Sequence, residues 1–405
     1  MKNRYCGACR GERGCVDCVS ASKNAQYVGL TGFVNRDNAE TESSVPQEYL
    51  LAADIGTTTL AFVCTDEHGN VLSSYGCVNP QRRYAADVIG LVDYACRKDD
   101  TELTKILKEA LVKGFLFVLK RAEKTYGSGR PVRFGIAGNT VMLHLLLGYP
   151  VEGLSKAPFV PFRTEGVKTG FTELFGVQQG LEGSVVILPC FSAFVGADLF
   201  AGAYYLDFFG QKKQKTCFLA DFGTNGELLL LHDGRIYATS AAMGTAFEGG
   251  RFSYAADLFR LIAEARKEEQ MDKYGLLSEP YFEEGFRGLL QEDVRVFQLA
   301  KGAIRAGIEI LLGRAGISAA EVSEVFLAGG LGEFCNQEDF FDTGLLPGAF
   351  RGKLSMVGNG CIGGLVKYLK NREEMLTCEA DVINLAECPS FEEAYYAYMN
   401  FEEEA

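Results

Sequence analysis

Two features are missing from this sequence, and each excludes a class of protein. No apolar stretch reaches the roughly 18 residues that a membrane-spanning helix needs, so we expect no association with a membrane. A basic excess is also missing, because 53 acidic against 40 basic residues give a formal net charge of −13. Such a surface repels nucleic acid, and we therefore expect no nucleic-acid partner.

A secretory signal is missing as well, since the N-terminal residues are polar and contain no apolar core segment. The chain nevertheless has 13 cysteines. Without such a signal they indicate reduced thiols, a metal or a cluster in the cytoplasm, not disulfides. The 405 residues, of which 47% are hydrophobic, are enough for two domains with ordinary cores.

Four of the cysteines form a compact group near the N-terminus. They have the spacing C-x2-C-x5-C-x2-C and are Cys6, Cys9, Cys15 and Cys18. Each C-x2-C pair places two thiolates on one small turn, as zinc sites and iron–sulfur clusters require. We predict an iron–sulfur cluster first, zinc second and a free reduced segment third. Most other cysteines lie in apolar runs, where buried inert thiols are expected.

Composition and periodicity divide the chain into four segments. Residues 1–20 form the Cys-rich segment, and residues 21–49, which are mostly polar and aperiodic, form a linker. From Leu50 onward, predicted strands and helices alternate. We assign a first α/β subdomain to 50–210 and a second, which ends in a strand and a helix, to 211–405.

The two subdomains repeat one order of elements. In the first, strands are predicted at 50–54, 59–64, 71–78, 132–137 and 185–188, and helices at 86–97, 101–125 and 193–209. In the second, strands are predicted at 217–221, 226–232, 235–240 and 323–328, and helices at 253–269 and 293–313. Two duplicated α/β domains with a nucleotide between them are the expected architecture.

Equivalent turns in the two subdomains carry the most specific pattern. Asp54, Gly56, Thr57, Thr58 and Thr59 lie between two apolar runs. The same arrangement returns 167 residues later (221 − 54), with Asp221, Gly223, Thr224, Asn225 and Glu227. Glycine lets the backbone approach a phosphate closely, and successive N–H groups in such a turn bind anions. The aspartates need a cation next to a phosphate, and Mg²⁺ prefers one or two carboxylates.

Other residues supplement these two turns. Gly329 and Gly330 follow a late apolar strand and would let a turn pack against a nucleoside. Asn139 and Thr140 open a helix after a strand, a position that suits either a phosphate or a helix cap.

The remaining candidates each have two interpretations. Asp198 is either a base that orients a water or hydroxyl, or a helix N-terminal acid favoured by the helix dipole. Glu227 is a candidate to reach a metal or water. His144 is predicted to be a packed helix residue. Lys301 and Arg305 lie one helical turn apart and are predicted either to be solvated or to contact the nucleoside.

The three loops are similar to the phosphate-1, phosphate-2 and adenosine motifs of the actin, sugar-kinase and heat-shock-protein-70 superfamily. From about Leu50, the chain resembles the ATPase domain of the reductive activators of corrinoid proteins. The resemblance runs through segments such as Asn79-Pro80-Gln81, Gly138-Asn139-Thr140 and Gly344-Leu345-Leu346-Pro347. It implies duplicated RNase H-like, actin-like ATPase domains, with a nucleotide cleft between them.

The resemblance also implies a function. It implies ATP and Mg²⁺ as cofactors and a homodimer. It further implies electron transfer, coupled to ATP hydrolysis, to a corrinoid protein, from Co(II) to Co(I), or to another low-potential redox partner. The family carries an N-terminal ferredoxin domain with a C-x5-C-x2-C run. Cys9, Cys15 and Cys18 fit that run, which leaves Cys6 as the fourth ligand of a shorter segment.

Three other functions remain open from the sequence. The first is an ATP-dependent activator of a radical enzyme of the 2-hydroxyacyl-CoA dehydratase kind. The second is a small-molecule kinase with a zinc knuckle, for which Asp198 is essential. The third is a non-catalytic adaptor that senses ATP and shows negligible turnover.

Overall fold

The computed structural model describes most of the chain from residue 46 to residue 401. The described residues are 46, 48–85, 87–98, 100–128, 130–177, 180–223, 225–243, 247, 255–329, 331, 335–372, 374, 377 and 379–401. The Cys-rich segment 1–20, with Cys6, Cys9, Cys15 and Cys18, and most of the predicted linker lie outside them. So do the site candidates Thr224 and Gly330.

Strands and helices alternate along the described residues. The strands are β1 (Glu48–Ile55), β2 (Thr59–Thr65), β3 (Val71–Val78), β4 (Arg130–Gly138), β5 (Val167–Gly170), β6 (Ser184–Ile187), β7 (Cys217–Phe222), β8 (Asn225–His232), β9 (Arg235–Ala242), β10 (Glu324–Ala328), β11 (Leu354–Gly358) and β12 (Ala380–Ile383). The helices are α1 (Val88–Arg97), α2 (Thr101–Tyr126), α3 (Thr140–Leu147), α4 (Phe171–Phe175), α5 (Ala197–Tyr205), α6 (Ala255–Lys267), α7 (Tyr281–Glu284), α8 (Gln291–Ala315), α9 (Gln337–Asp342), α10 (Gly360–Asn371) and α11 (Phe391–Met399).

The strands form two six-stranded sheets with the same central order. The first sheet runs β3-β2-β1-β4-β6-β5, and the second runs β11-β10-β7-β8-β9-β12. In each, three antiparallel strands (β1–β3 or β7–β9) are followed by a strand that lies parallel to the first of them. The sheets differ in one edge strand, β5 in the first and β12 in the second. The mixed α/β class and the predicted internal repeat are thus confirmed.

The chain folds into two compact units. The boundary between them lies three residues before the predicted one (207 against 210), and one later segment belongs to the other unit. The first unit comprises residues up to Asp207 together with Gly358–Cys378, and the second comprises Phe208–Val357 and Glu379–Ala405. Helix α10, which we assigned to the second subdomain, therefore packs in the first unit. Its glycines approach α5 closely, a long-range contact that local sequence patterns do not encode.

Each unit has an aromatic core between its sheet and its helices. In the first, Phe62, Phe115, Phe134 and Phe171 are fully buried and are linked by ring contacts with centroids 4.5–5.6 Å apart. Gly114 of α2 makes this packing possible, because a Cβ there would lie 2.3 Å from the ring of Phe62.

The core of the second unit joins helices α6, α8 and α9. Phe259 contacts Phe297 and Phe340 with centroids 5.0 and 5.2 Å away, and all three are fully buried. Edge-to-face contacts of this kind contribute beyond the burial of their area. Within the described residues, no helix is long and apolar enough to cross a membrane.

Candidate nucleotide-binding site

The first Asp-x-Gly turn connects β1 and β2. Asp54 lies near the end of β1, in register with Ala61 of β2 and Ala137 of β4. The Gly56 N–H donates to the Thr59 carbonyl over 2.9 Å. A Cβ at Gly56 would lie 2.7 Å from that carbonyl, so the tight turn requires glycine. The predicted strand–turn–strand arrangement is confirmed here.

Asn79, which follows β3, donates hydrogen bonds to this turn. It is fully buried, and its Nδ2 donates to the Gly56 carbonyl over 2.9 Å. Its backbone N–H donates to the Thr58 carbonyl over 2.8 Å. Two turn carbonyls are thereby satisfied within the protein, which fixes the turn's shape. The sequence marked Asn79 only as part of a family segment and did not reveal this role.

Burial and hydrogen bonding act in opposite directions on Asp54. Burial raises the pKa of its carboxyl group, because the charged form loses hydration. Hydrogen bonds from the side chains of Asn359 and Cys361 act the other way. The Asn359 amide lies 2.8 Å from Asp54 Oδ2. A carboxylate in these surroundings is one that a divalent cation would stabilise.

Asn139 and Thr57 are brought together beside the same turn. Asn139 Oδ1 accepts from the Met142 N–H over 3.0 Å and so caps α3. Its Nδ2 donates to Thr57 Oγ1 over 3.0 Å. Thr140 donates its hydroxyl to the Ser192 carbonyl. Of the two roles that the sequence allowed at this helix start, the structure thus shows the cap.

Asp198 lies near the Asn139 cap, in the first turn of α5. Its Oδ1 accepts from the Leu199 N–H over 2.9 Å. A Cβ on Gly196 would lie 2.5 Å from Asn139 Cα and 2.6 Å from Asp198 Oδ1. Asp198 therefore lies close to the turn after β4, in the same part of the unit as Asn139 and Thr57.

The second Asp-x-Gly turn connects β7 and β8. Asp221 is in register with Glu227 of β8 and with Ala328 of β10. The Gly223 N–H donates to the Asn225 carbonyl over 3.0 Å, so this turn is one residue shorter than its counterpart. The Cβ atoms of directly paired antiparallel residues are about 4.5–5.5 Å apart, so the side chains of Asp221 and Glu227 start next to each other on one face of the sheet.

A glycine closes each Asp-x-Gly turn from the neighbouring parallel strand. Gly329, with φ +90°, follows β10, and a Cβ there would lie 2.6 Å from the Phe222 carbonyl. Gly138 ends β4, and a Cβ there would lie 2.5 Å from the Ile55 carbonyl. Gly138 is therefore the structural counterpart of Gly329, an equivalence that the sequence analysis missed.

Lys301 and Arg305 are neither solvated nor exposed for a nucleoside. They are 2% and 3% exposed and lie on the face of α8 that α11 covers. Lys301 Nζ donates to the Tyr398 carbonyl over 2.9 Å, and the Arg305 guanidinium lies 4.5 Å from the centre of the Tyr398 ring. The solvated interpretation is wrong, because α11 follows almost 100 residues later and covers this face. Their described contacts are structural ones.

His144 is a packed residue, as predicted. It is 2% exposed, and its Nδ1 lies 2.8 Å from the Thr140 carbonyl. Burial lowers the pKa of its imidazole. Among the described cysteines, Cys64, Cys217 and Cys361 are buried, and Cys96 is exposed. Burial raises the pKa of Cys217 to about 11, as expected of an inert thiol.

The described residues place one or two carboxylates beside each glycine turn, but they contain no larger group of metal-binding side chains. None of the described His, Cys, Asp and Glu residues form a group of three or more that would hold a metal ion. Among the described residues, a Cβ added to Gly223 would meet only the Asn225 carbonyl, at 3.9 Å. One or two carboxylates beside a glycine turn fit Mg²⁺, which shares its coordination with phosphates and waters.

Two models of known protein families match this chain. Residues 49–211 match the family model described as the RACo middle region. Residues 215–257 and 263–405 match the model described as the C-terminal domain of RACo, the ASKHA domain.

Two curated proteins and one solved structure are also similar to the chain. The corrinoid activation enzyme RamQ of Eubacterium limosum is 27% identical, over 86% of this chain and 69% of RamQ. The reductase of the Co(II) methylated amine-specific corrinoid protein from Methanosarcina barkeri is 23% identical, over 77% of this chain and 68% of the reductase. A reductive activator for a corrinoid, iron–sulfur protein superposes with a TM-score of 0.74 at 22% identity, over 89% of this chain and 67% of that one. The last likeness shows a shared fold.

Proposed function

The chain belongs to the RACo family, and on that premise we propose that it is an ATPase that reactivates a corrinoid protein. It would deliver a low-potential electron that returns the cobalt from Co(II) to Co(I). The match to the two RACo family models, along both α/β units, carries this proposal. It is supported by two relatives, one named a corrinoid activation enzyme and the other a reductase of a Co(II) corrinoid protein.

ATP and Mg²⁺ are the cofactors that an ASKHA domain implies. Asp54 and Asp221 would hold the metal through its waters, and Glu227 would assist. The phosphates would bind to the two glycine turns, and Gly329 and Gly330 would adjoin the nucleoside. The residues that would contact the phosphates are Gly56, Thr57, Thr58, Thr59, Asn139, Thr140, Gly223, Thr224 and Asn225. Asp198 would orient the attacking water. Bound Mg²⁺ would supply charge neutralisation for the phosphates.

ATP would make the electron transfer favourable by changing which conformation of the complex is the more stable. It would not itself carry the electron. Different conformations of the complex with the corrinoid protein would be favoured before and after hydrolysis. About 4 kcal/mol of differential binding shifts a one-electron potential by roughly 170 mV. A shift of that size is enough to make an otherwise unfavourable reduction proceed.

The electron would pass through an iron–sulfur cluster on Cys6, Cys9, Cys15 and Cys18. This part of the proposal depends on their spacing and on the family resemblance, because these residues lie outside the described ones. A zinc site is the alternative. We further propose that the protein acts as a homodimer in the cytoplasm.

The decisive experiment follows the cobalt directly. A corrinoid protein in the Co(II) state is mixed with this protein and Ti(III) citrate, without oxygen, and formation of Co(I) is followed by its absorbance. Co(I) should form only with ATP and Mg²⁺. Asp54→Asn and Asp221→Asn should each lower the rate about 10–100-fold, as the loss of an outer-shell partner of a metal does.

A matched control is available in the turn between β8 and β9. Asp233, whose side chain is 81% exposed, tolerates Asn at its positive φ of 47°, and Asp233→Asn should leave the rate unchanged. Co(I) formation that is equally fast without ATP would contradict the proposal. So would full activity of both aspartate variants.

A further inference from the structure

Asn359 uses both ends of one amide group. It immediately precedes α10 and is 7% exposed. Its Oδ1 accepts from the Ile362 N–H over 2.7 Å, as a helix cap does. Its Nδ2 donates to Asp54 Oδ2 over 2.8 Å. The cap fixes which end of the amide faces Asp54, because the oxygen must face the helix.

Few residue types can perform both tasks. Ser, Thr and Asp also cap helices well, but an ionised Asp has no donor to offer a second carboxylate. The side chain of Asn has an acceptor and a two-hydrogen donor on one short stem. The residue type at position 359 is therefore suited to the pair of contacts, not to the cap alone.

Helix α10 is held rigidly on the unit that carries Asp54. A Cβ on Gly364 would lie 1.9 Å from the Ala201 carbonyl of α5, so the two backbones touch. On its other side, Leu365 and Leu369 pack against Gly135 of β4, the strand next to β1. The amide of Asn359 is thus positioned before any ligand binds, as a supporting contact must be.

We propose that Asn359 is the positioning residue for Asp54 and holds its carboxylate in the orientation that Mg²⁺–nucleotide requires. This inference rests on the proposed function, which places Asp54 at the metal. The amide fixes the rotamer of Asp54 through its hydrogen bond to Oδ2. A segment 305 residues away in sequence thereby sets the geometry of the first Asp-x-Gly turn.

The test compares two substitutions that retain a capping oxygen and lose the amide donor. Asn359→Asp has no donor when ionised, and the hydroxyl of Asn359→Ser is one bond shorter than the amide nitrogen that reaches Asp54. ATP affinity is measured by calorimetry with Mg²⁺ and again with EDTA. With Mg²⁺ we expect binding about 10–100-fold weaker than in the unmodified chain, and with EDTA binding within about twofold. Asn359→Asp should be the more damaging variant, because it places a second carboxylate against Asp54.

The order of these two variants separates positioning from simple capping. Asp is at least as good a cap as Ser, so a purely structural role predicts that Asn359→Asp is the milder change. Asn336 offers a matched control, since it caps α9 by accepting from the Glu338 N–H. Asn336→Ser and Asn336→Asp should leave Mg²⁺-dependent ATP binding unchanged.

Two results would overturn the inference: normal Mg²⁺-dependent binding in Asn359→Ser, or equal losses with Mg²⁺ and with EDTA. Asp54→Asn, measured in parallel, distinguishes the cause. If Asp54→Asn loses Mg²⁺-dependent binding and Asn359→Ser does not, only the role of Asn359 is wrong. If Asp54→Asn also binds normally, the metal site of the proposed function is wrong, and the inference fails with it.

Discussion

Lys301 joins helix α8 to the last segment of the chain. Its Nζ donates to the carbonyls of Tyr398 and Asn400 and lies 4.7 Å from the centre of the Phe401 ring. Lys301→Met keeps the stem and removes these donors. We expect a loss of about 2 kcal/mol in the free energy of unfolding, as for hydrogen bonds from a charged group. Urea unfolding measures it, and Lys267→Met, at an exposed position in α6, is the control.

Glu324 gives the stability a defined pH dependence. The side chains of Lys212 and Lys215 donate to its carboxylate and hold its pKa below the usual range. A lowered carboxyl pKa stabilises the fold above the unfolded value of about 4.3, and this contribution disappears as the pH falls through the folded pKa.

We therefore expect Glu324→Gln to lower the melting temperature at pH 7, by an amount that shrinks as the pH falls below the unfolded pKa of about 4.3. The loss at pH 7 should be at most about 1 kcal/mol, because these side chains are partly exposed. Melting curves of both proteins between pH 3 and 7 test this. Glu283→Gln, at an exposed carboxylate in α7, should show no such trend. A difference in melting temperature that became larger at low pH would refute the assignment of this stabilisation to Glu324.

Sequence patterns predicted single residues well only where the partner is close in sequence. The turns that contain Asp54, Gly56 and Asp221 were predicted correctly because each is formed by residues close in sequence. The role of Asn359 depends on a partner 305 residues away, and the burial of Lys301 depends on a helix almost 100 residues later. Local periodicity contains no information on such contacts, which explains both misses.

The packing of α5 on α10 depends on which of two adjacent glycines faces the backbone. A Cβ on Gly364 would lie 1.9 Å from the Ala201 carbonyl, whereas one on Gly363 would meet the ring of Tyr205 at 2.8 Å. The Ala201 carbonyl belongs to the backbone and cannot move away without separating α5 from α10. The Tyr205 ring is a side chain on a residue that is 37% exposed, so it can shift at lower cost than a backbone carbonyl.

We accordingly expect Gly364→Ala to cost roughly 1–3 kcal/mol, as overpacking does. Gly363→Ala should stay within about 1 kcal/mol of the unmodified protein, since Ala is the better helix former by about that amount. The two substitutions are chemically identical and adjacent, so each controls for the other. Urea midpoints report the difference, and equal midpoints would show that the contact with α5 is not tight.

At the scale of elements, apolar runs located the central strands, and capping decided where helices begin. The strands predicted at 59–64, 71–78 and 217–221 differ from β2, β3 and β7 by at most one residue at either end. The helix predicted at 193–209 is shorter, because Gly196 caps α5 and the chain leaves the helix after Tyr205. Strand β5, an edge strand of four residues, was missed because its pattern is too short.

The internal duplication explains why the strand order of the whole molecule was easier to predict than the features in which the two units differ. The shared strand order follows from two similar stretches of sequence, and each places an aspartate near the end of the first strand of its sheet. The two units differ in the partners of these two aspartates. Asp54 accepts a hydrogen bond from Asn359, the cap of α10, whereas Asp221 is in register with Glu227 of β8.

The last prediction concerns the division of labour between the Cys-rich segment and the α/β units. If the cluster carries the electron and the α/β units use the ATP, the two activities should separate by mutation. In protein purified without oxygen, Cys15→Ser should lose iron and acid-labile sulfide and keep ATP hydrolysis within about twofold. Asp221→Asn should keep the iron and lower the hydrolysis rate about 10–100-fold, as expected for an outer-shell partner of the metal.

Iron, sulfide and zinc per chain, together with phosphate release, measure both halves of this pattern in the same preparations. Zinc in place of iron in the unmodified protein would end the model in which one chain carries both electron and nucleotide, and a separate partner would then have to supply the electron. Loss of hydrolysis in Cys15→Ser would contradict independence instead, because it would mean that the metal segment is needed for the ATPase itself. Only a result in which each variant loses one activity and keeps the other assigns the two roles to two parts of the chain.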